Sequence, residues 1–114
     1  RIASIHVDLQ SYSLERGGSG PDRPANIIGP TLPNKPVKLN LSLPIGFEEG
    51  NYNVRISRTV EGPALVQSNG IAHLVGHAVE LDTSLDLTRL SPGTYFLGIR
   101  QQGLSWAHVQ ILVK

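Results

Sequence analysis

Apolar and polar residues alternate along most of this chain with a period of two, the spacing that puts every second side chain on one face of an extended strand. In IASIHVDL the apolar set is Ala3, Ile5, Val7 and Leu9, with Ser4, His6 and Asp8 between them. VKLNLSL repeats the pattern through Val37, Leu39, Leu41 and Leu43, and NYNVRIS through Tyr52, Val54 and Ile56, so these two segments are expected as neighbouring core strands. A short strand is expected at 64–67. Ser68-Asn69-Gly70 then reads as a hairpin turn, because Asn-Gly accepts the positive φ angles that such turns demand. IAHLV follows, Gly76 breaks its phase, and VELDTSLDL sets Val79, Leu81, Thr83, Leu85 and Leu87 on one side. The last two strands are expected at 94–100 and 105–113.

The alternation lapses between residues 11 and 36, where Gly17, Gly18, Gly20 and Gly29 mingle with Pro21, Pro24, Pro30, Pro33 and Pro36. A loop of this length is unusual in a compact domain and is commonly functional or mobile. A short edge strand near Ile27 fits, since proline is tolerated at sheet edges. Seven to eight short strands punctuated by Gly, Pro and Asn predict one all-β domain over residues 1–114, an antiparallel sandwich and not a βαβ fold.

The stretch LSPGTYFLGI refines that expectation. In immunoglobulin-like sandwiches a tyrosine near the start of the penultimate strand returns its hydroxyl to the backbone a few residues upstream. LSPGTYFLGI resembles this corner as it occurs in immunoglobulin and fibronectin type III-like domains. The resemblance implies that Leu90 plugs the core, Pro92 and Gly93 make the turn and Tyr95 locks it. Matching the buried faces of the final hairpin pairs Tyr95 with Ile111, Leu97 with Val109 and Ile99 with Ala107, with the loop around Gly103. The same register turns Phe96, Arg100, Trp106, His108 and Leu112 to the opposite face, with Arg100 across from Trp106 and within reach of a cation–π contact. These five residues form a candidate interaction patch, because grouped exposed apolar side chains mark interfaces. The competing expectation is that the 11–36 loop folds over them.

Composition narrows the chemistry. The chain has 114 residues, the length of one ordinary domain, and a formal net charge of +1, which gives no field to attract nucleic acid or an anionic membrane. With no cysteine there is no disulfide and no thiolate chemistry. No apolar run reaches the roughly 20 residues that span a bilayer, so this part of the protein is not expected to insert. The start at Arg1, without methionine or signal-peptide core, suggests the excised C-terminal part of a larger protein.

Catalytic patterns are wanting. His73 and His77 have the HxxxH spacing of helical zinc sites but lie in strand-like sequence without the accompanying glutamate. RGGSGPDRP lacks the lysine and helix of a phosphate-binding loop. Glu48 and Glu49 are adjacent in a turn, Asp82 and Asp86 flank a strand, and no GxSxG elbow is present. Neither an enzyme, a metal nor a cofactor is expected. Asn40-Leu41-Ser42 is a formal glycosylation sequon.

Over residues 37–114, LNLSLPIGFEEGNYNVRI, then SLDLTRLSPGTYFLGIR and a terminal strand, the chain resembles the extracytoplasmic C-terminal domain of bacterial membrane-anchored zinc-finger anti-sigma-factor-type proteins. The resemblance implies a place on the periplasmic or extracellular side of a bacterial membrane, an unidentified protein partner, and a role in protein interaction or signal reception. The zinc- and sigma-binding part of such proteins is not in this sequence. The alternative is a carbohydrate- or small-ligand-binding module of an exported protein; the oligomeric state stays open.

Overall fold

A computed structural model describes residues 2–11, 15–16, 29–60 and 62–114. The chain is all-β. Among the described residues nine strands form one mixed sheet: β1 (Ala3–Asp8), β2 (Glu15–Arg16), β3 (Thr31–Leu32), β4 (Pro36–Ser42), β5 (Gly50–Ser57), β6 (Ala64–Val75), β7 (Ala78–Asp86), β8 (Gly93–Gln101) and β9 (Ala107–Val113). Their order is β1-β4-β7-β6-β5-β8-β9-β2, with β3 also on β9. The sheet curls so that β1, β4 and β7 form one arm, β5, β8 and β9 the other, and β6 joins them.

Alternation explains the curl. Val37, Leu39, Leu41, Leu81 and Leu85 from the first arm, and Val54, Ile56, Leu97, Ile99, Val109 and Ile111 from the second, belong to one buried cluster. Each arm therefore hides its aliphatic face against the other, which removes roughly 25 cal/mol of unfavourable hydration per Å² of apolar surface.

The final hairpin has the expected register, with Tyr95 opposite Ile111, Leu97 opposite Val109 and Ile99 opposite Ala107. The corner preceding it also has the expected bond: the Tyr95 hydroxyl donates to the Ser91 carbonyl at 2.7 Å. Leu90 is buried beside it, its carbonyl accepting from the Asn34 side chain. A second tyrosine repeats the device, since the Tyr52 hydroxyl donates to the Glu48 carbonyl at 2.7 Å. Each tyrosine follows a glycine by two residues, Gly50 at φ 140° and Gly93 at φ 155°, angles that side chains bearing a Cβ resist.

Three expectations need correction. The sheet is not wholly antiparallel, because β1 runs parallel to β4 and β3 parallel to β9; the long stretch between β1 and β4 supplies the crossover that parallel pairing requires. The strands β4 and β5 are both core strands but not neighbours, being separated by β7 and β6.

Asn69-Gly70 is not a turn. Both residues lie inside β6, where Asn69 pairs with Asn53 and Gly70 with Tyr52. Glycine is needed at 70 for another reason: a Cβ there would collide with the Asp82 carbonyl oxygen and lie 2.7 Å from a Leu81 methyl, so the arms close up only around a bare backbone. The hairpin falls instead at Gly76, φ 64°, between β6 and β7. Within the 11–36 stretch the described strands are β2, at the end of the sheet, and β3, both on β9; Ile27 lies outside the described residues.

Candidate binding face

The second arm turns its polar side outward, and its strand register decides which side chains meet. Arg55 on β5 lies across from Gly98 on β8, and Gly98 across from His108 on β9. Because Gly98 has no side chain, Arg55 lies over it: a Cβ there would stand 3.3 Å from Arg55 Cγ and 3.1–3.2 Å from the His108 ring. The Arg55 guanidinium thereby reaches 4.3 Å from the centre of the Trp106 ring. Arg100 approaches the same ring at 4.7 Å, the contact expected from the hairpin register. Two cations on one indole are each worth about 0.5–1 kcal/mol at a solvated site.

A hydrogen-bonded row continues from this stack across three strands. Arg100 Nε donates to Asn53 Oδ1 at 3.1 Å, and Asn53 Nδ2 donates to Asn69 Oδ1 at 2.9 Å. The guanidinium fixes both amides: it can only donate, so Asn53 must turn its oxygen toward Arg100 and its nitrogen toward Asn69. Beyond Asn69, a shallow depression is lined by Asn51, Asn53, Asn69, Ile71 and Gln102.

His108 is buried, with only 4% of its surface exposed. Burial, and then the Arg55 charge, hold its pKa below the usual 6.5, so the ring is neutral at pH 7. Its Nε2 faces Arg55 Nη2 at 3.4 Å; facing a pure donor, Nε2 is the accepting nitrogen and the proton sits on Nδ1. That Nδ1 and Arg55 Nε are both buried, with no hydrogen-bond partner among the described residues. Burial, followed by the nearby Arg100 charge, also lowers the Arg55 pKa, yet a guanidinium stays charged at neutral pH.

The five residues of the sequence-derived patch are thus on β8, β9 and the connection between them. Trp106 and Arg100 touch, Trp106 and His108 have ring centres 6.4 Å apart, and Phe96 and Leu112 are half-buried farther along the same side. The described ends of the 11–36 loop run beside β9, Glu15 pairing with His108 and Thr31 with Leu112. Reading the sequence alone missed Arg55, Asn53 and Asn69. Their outward positions on β5 and β6 were legible, but the adjacency of β5 to β8 was not.

The remaining motifs lie elsewhere. His73 pairs with Asp82 at 3.8 Å on the outside of β6 and β7, while His77 sits in the hairpin turn. The Asn40 amide donates to Glu80 at 3.1 Å and to Asp82 at 2.7 Å. Comparison with known proteins gives no matching family model, no matching curated protein and no matching solved structure.

Proposed function

We propose that this chain is a non-enzymatic binding module, an immunoglobulin-like sandwich that serves protein interaction or signal reception outside the cytoplasm, in a membrane-anchored bacterial regulator of the anti-sigma-factor type. The Tyr95–Ser91 bond and the aliphatic faces enclosed between two arms support the immunoglobulin-like reading. The regulator and its location rest on the sequence resemblance over residues 37–114. One observation carries the binding role: Trp106 and two arginines are gathered on an outward face and half-exposed, where a purely structural strand would need only solvated polar residues.

The test is cross-linking of the full-length protein in its native host, comparing wild type with Trp106→Ala and Phe96→Ala. Loss of cross-linked partners from variants that still melt cooperatively is expected. If both variants keep every partner, the face has no such role.

A second reading has its own support. The amide-lined depression at Asn51, Asn53, Asn69 and Gln102 suits a polar small ligand such as a sugar. A sugar stacking on Trp106, however, competes with two resident guanidiniums. A thermal-shift screen against neutral oligosaccharides separates the readings, because a saturating ligand raises the melting temperature by mass action.

A further inference from the structure

We propose that the face formed by β5, β8 and β9 takes a peptide segment bearing carboxylates from a partner protein, with Arg55 and Arg100 as the groups that receive them. The inference rests on the binding role above and adds the chemistry of the occupant.

Charge is the first argument. None of β5, β8 and β9 contains an aspartate or glutamate, and no carboxylate whose side chain is described pairs with Arg55 or Arg100; the one nearest in register is Glu15 of the edge strand β2, opposite His108. Hydrogen-bond polarity is the second and is independent of charge. Arg100 orients Asn53, which orients Asn69, so the row ends on the Asn69 amide nitrogen, a donor. Arg55 Nε and His108 Nδ1 have no hydrogen-bond partner among the described residues but are enclosed, so the donors within an occupant's reach are the Asn69 amide and the outer N–H groups of the two guanidiniums. What the face has left to offer is therefore N–H groups, and its complement is an acceptor.

The form of the cations selects among acceptors. A guanidinium presents a planar fork that a carboxylate meets with two parallel bonds. Since both guanidiniums already lie over Trp106, the indole holds them in place and cuts the side-chain entropy lost when an anion binds. A protein segment is favoured over an acidic glycan because the ring surface on which a sugar would stack is taken. Half-buried Phe96 and Leu112 offer apolar contact farther along the same side.

The experiment is selection of random dodecapeptides from a display library on the intact chain, with parallel selection on the Arg55→Gln/Arg100→Gln double variant and on Arg55→Lys/Arg100→Lys. Enrichment of Asp and Glu is expected on the wild type. Synthetic copies of the recovered peptides should shift the Trp106 indole N–H resonance, bind the glutamine variant about tenfold more weakly or worse, and weaken as salt rises from about 0.05 to about 0.5 M. The lysine variant should retain part of the affinity, having charge without the fork. Recovered peptides with no acidic enrichment would overturn the carboxylate inference while leaving the interaction role intact. Shifts produced by oligogalacturonate or heparin fragments, with no peptide retained, would overturn the peptide source. A face that retains neither would sink both this inference and the binding role.

Discussion

On one arm of the sheet, β1, β4 and β7 turn His6, Asn40, Glu80 and Asp82 outward; on the other, β5, β8, β9 and the β8–β9 connection turn Arg55, Arg100, His108 and Trp106 to the outer side. The inner faces are alike, rows of leucine, valine and isoleucine in one cluster. The first arm satisfies itself. Asn40 accepts from His6 and donates to both Glu80 and Asp82, and Asp82 also faces His73. The second arm gathers cations on an indole, leaves donors over, and holds both tyrosine locks. The two outer faces thus differ in how their polar groups are satisfied, the first by mutual pairing and the second with donors left over.

The largest effects should come from the locks. Tyr95→Phe and Tyr52→Phe should each cost about 1–3 kcal/mol by stranding a carbonyl partner, read by chemical denaturation. An unchanged midpoint for Tyr52→Phe alone would make the two corners unequal despite their identical 2.7 Å bonds.

Gly98→Ala comes next. The added methyl would press on His108 and on the Arg55 stem, costing about 1–2 kcal/mol as overpacking and shifting tryptophan emission as Arg55 is pushed from the ring. Emission identical to wild type would show that the stack does not depend on the gap at 98.

The pH dependence of His108 is smaller and has a definite sign. Its folded pKa lies below 6.5, so the unfolded chain takes up the proton first. The stabilisation is present above about pH 6.5 and is lost as pH falls from there through the folded pKa. Subtracting a His108→Gln titration from the wild-type one should isolate this slope, with Arg55, Arg100 and the β2 neighbour Glu15 held constant. A flat difference would mean that the ring titrates as freely as in the unfolded chain.

Asn40→Ala should have the least effect, at most about 1 kcal/mol, because its partners are solvated and can rehydrate. A larger loss would show the first arm's row to be a structural network.

Much of this was readable from residue order, and the reasons for success and failure are local and long-range pairing respectively. The β8–β9 hairpin is local in sequence, so its alternation alone set the register, and with it the meeting of Arg100 and Trp106. Tyr95 was legible because Leu-x-Pro-Gly-x-Tyr is a complete corner. The Tyr52 lock is carried by the same Gly-x-Tyr spacing in GNY as in GTY, a signal that was present but lacked the proline. Arg55 needed knowledge that β5 lies beside β8, a pairing that residue order does not encode by itself. Asn69-Gly70 misled because its ordinary turn chemistry was overridden by tertiary crowding: the glycine serves a close approach of main chains and not a positive φ.

The length of β6 has a mechanical corollary. Ala64–Ala72 bonds to β5 and Ile71–Val75 to β7, so the two arms share one continuous strand and cannot separate completely without tearing main-chain bonds. Opening on one side must therefore propagate through that shared ribbon. Deep amides of Leu39 and Leu97 should exchange with solvent deuterium in a single cooperative event, at the same free energy.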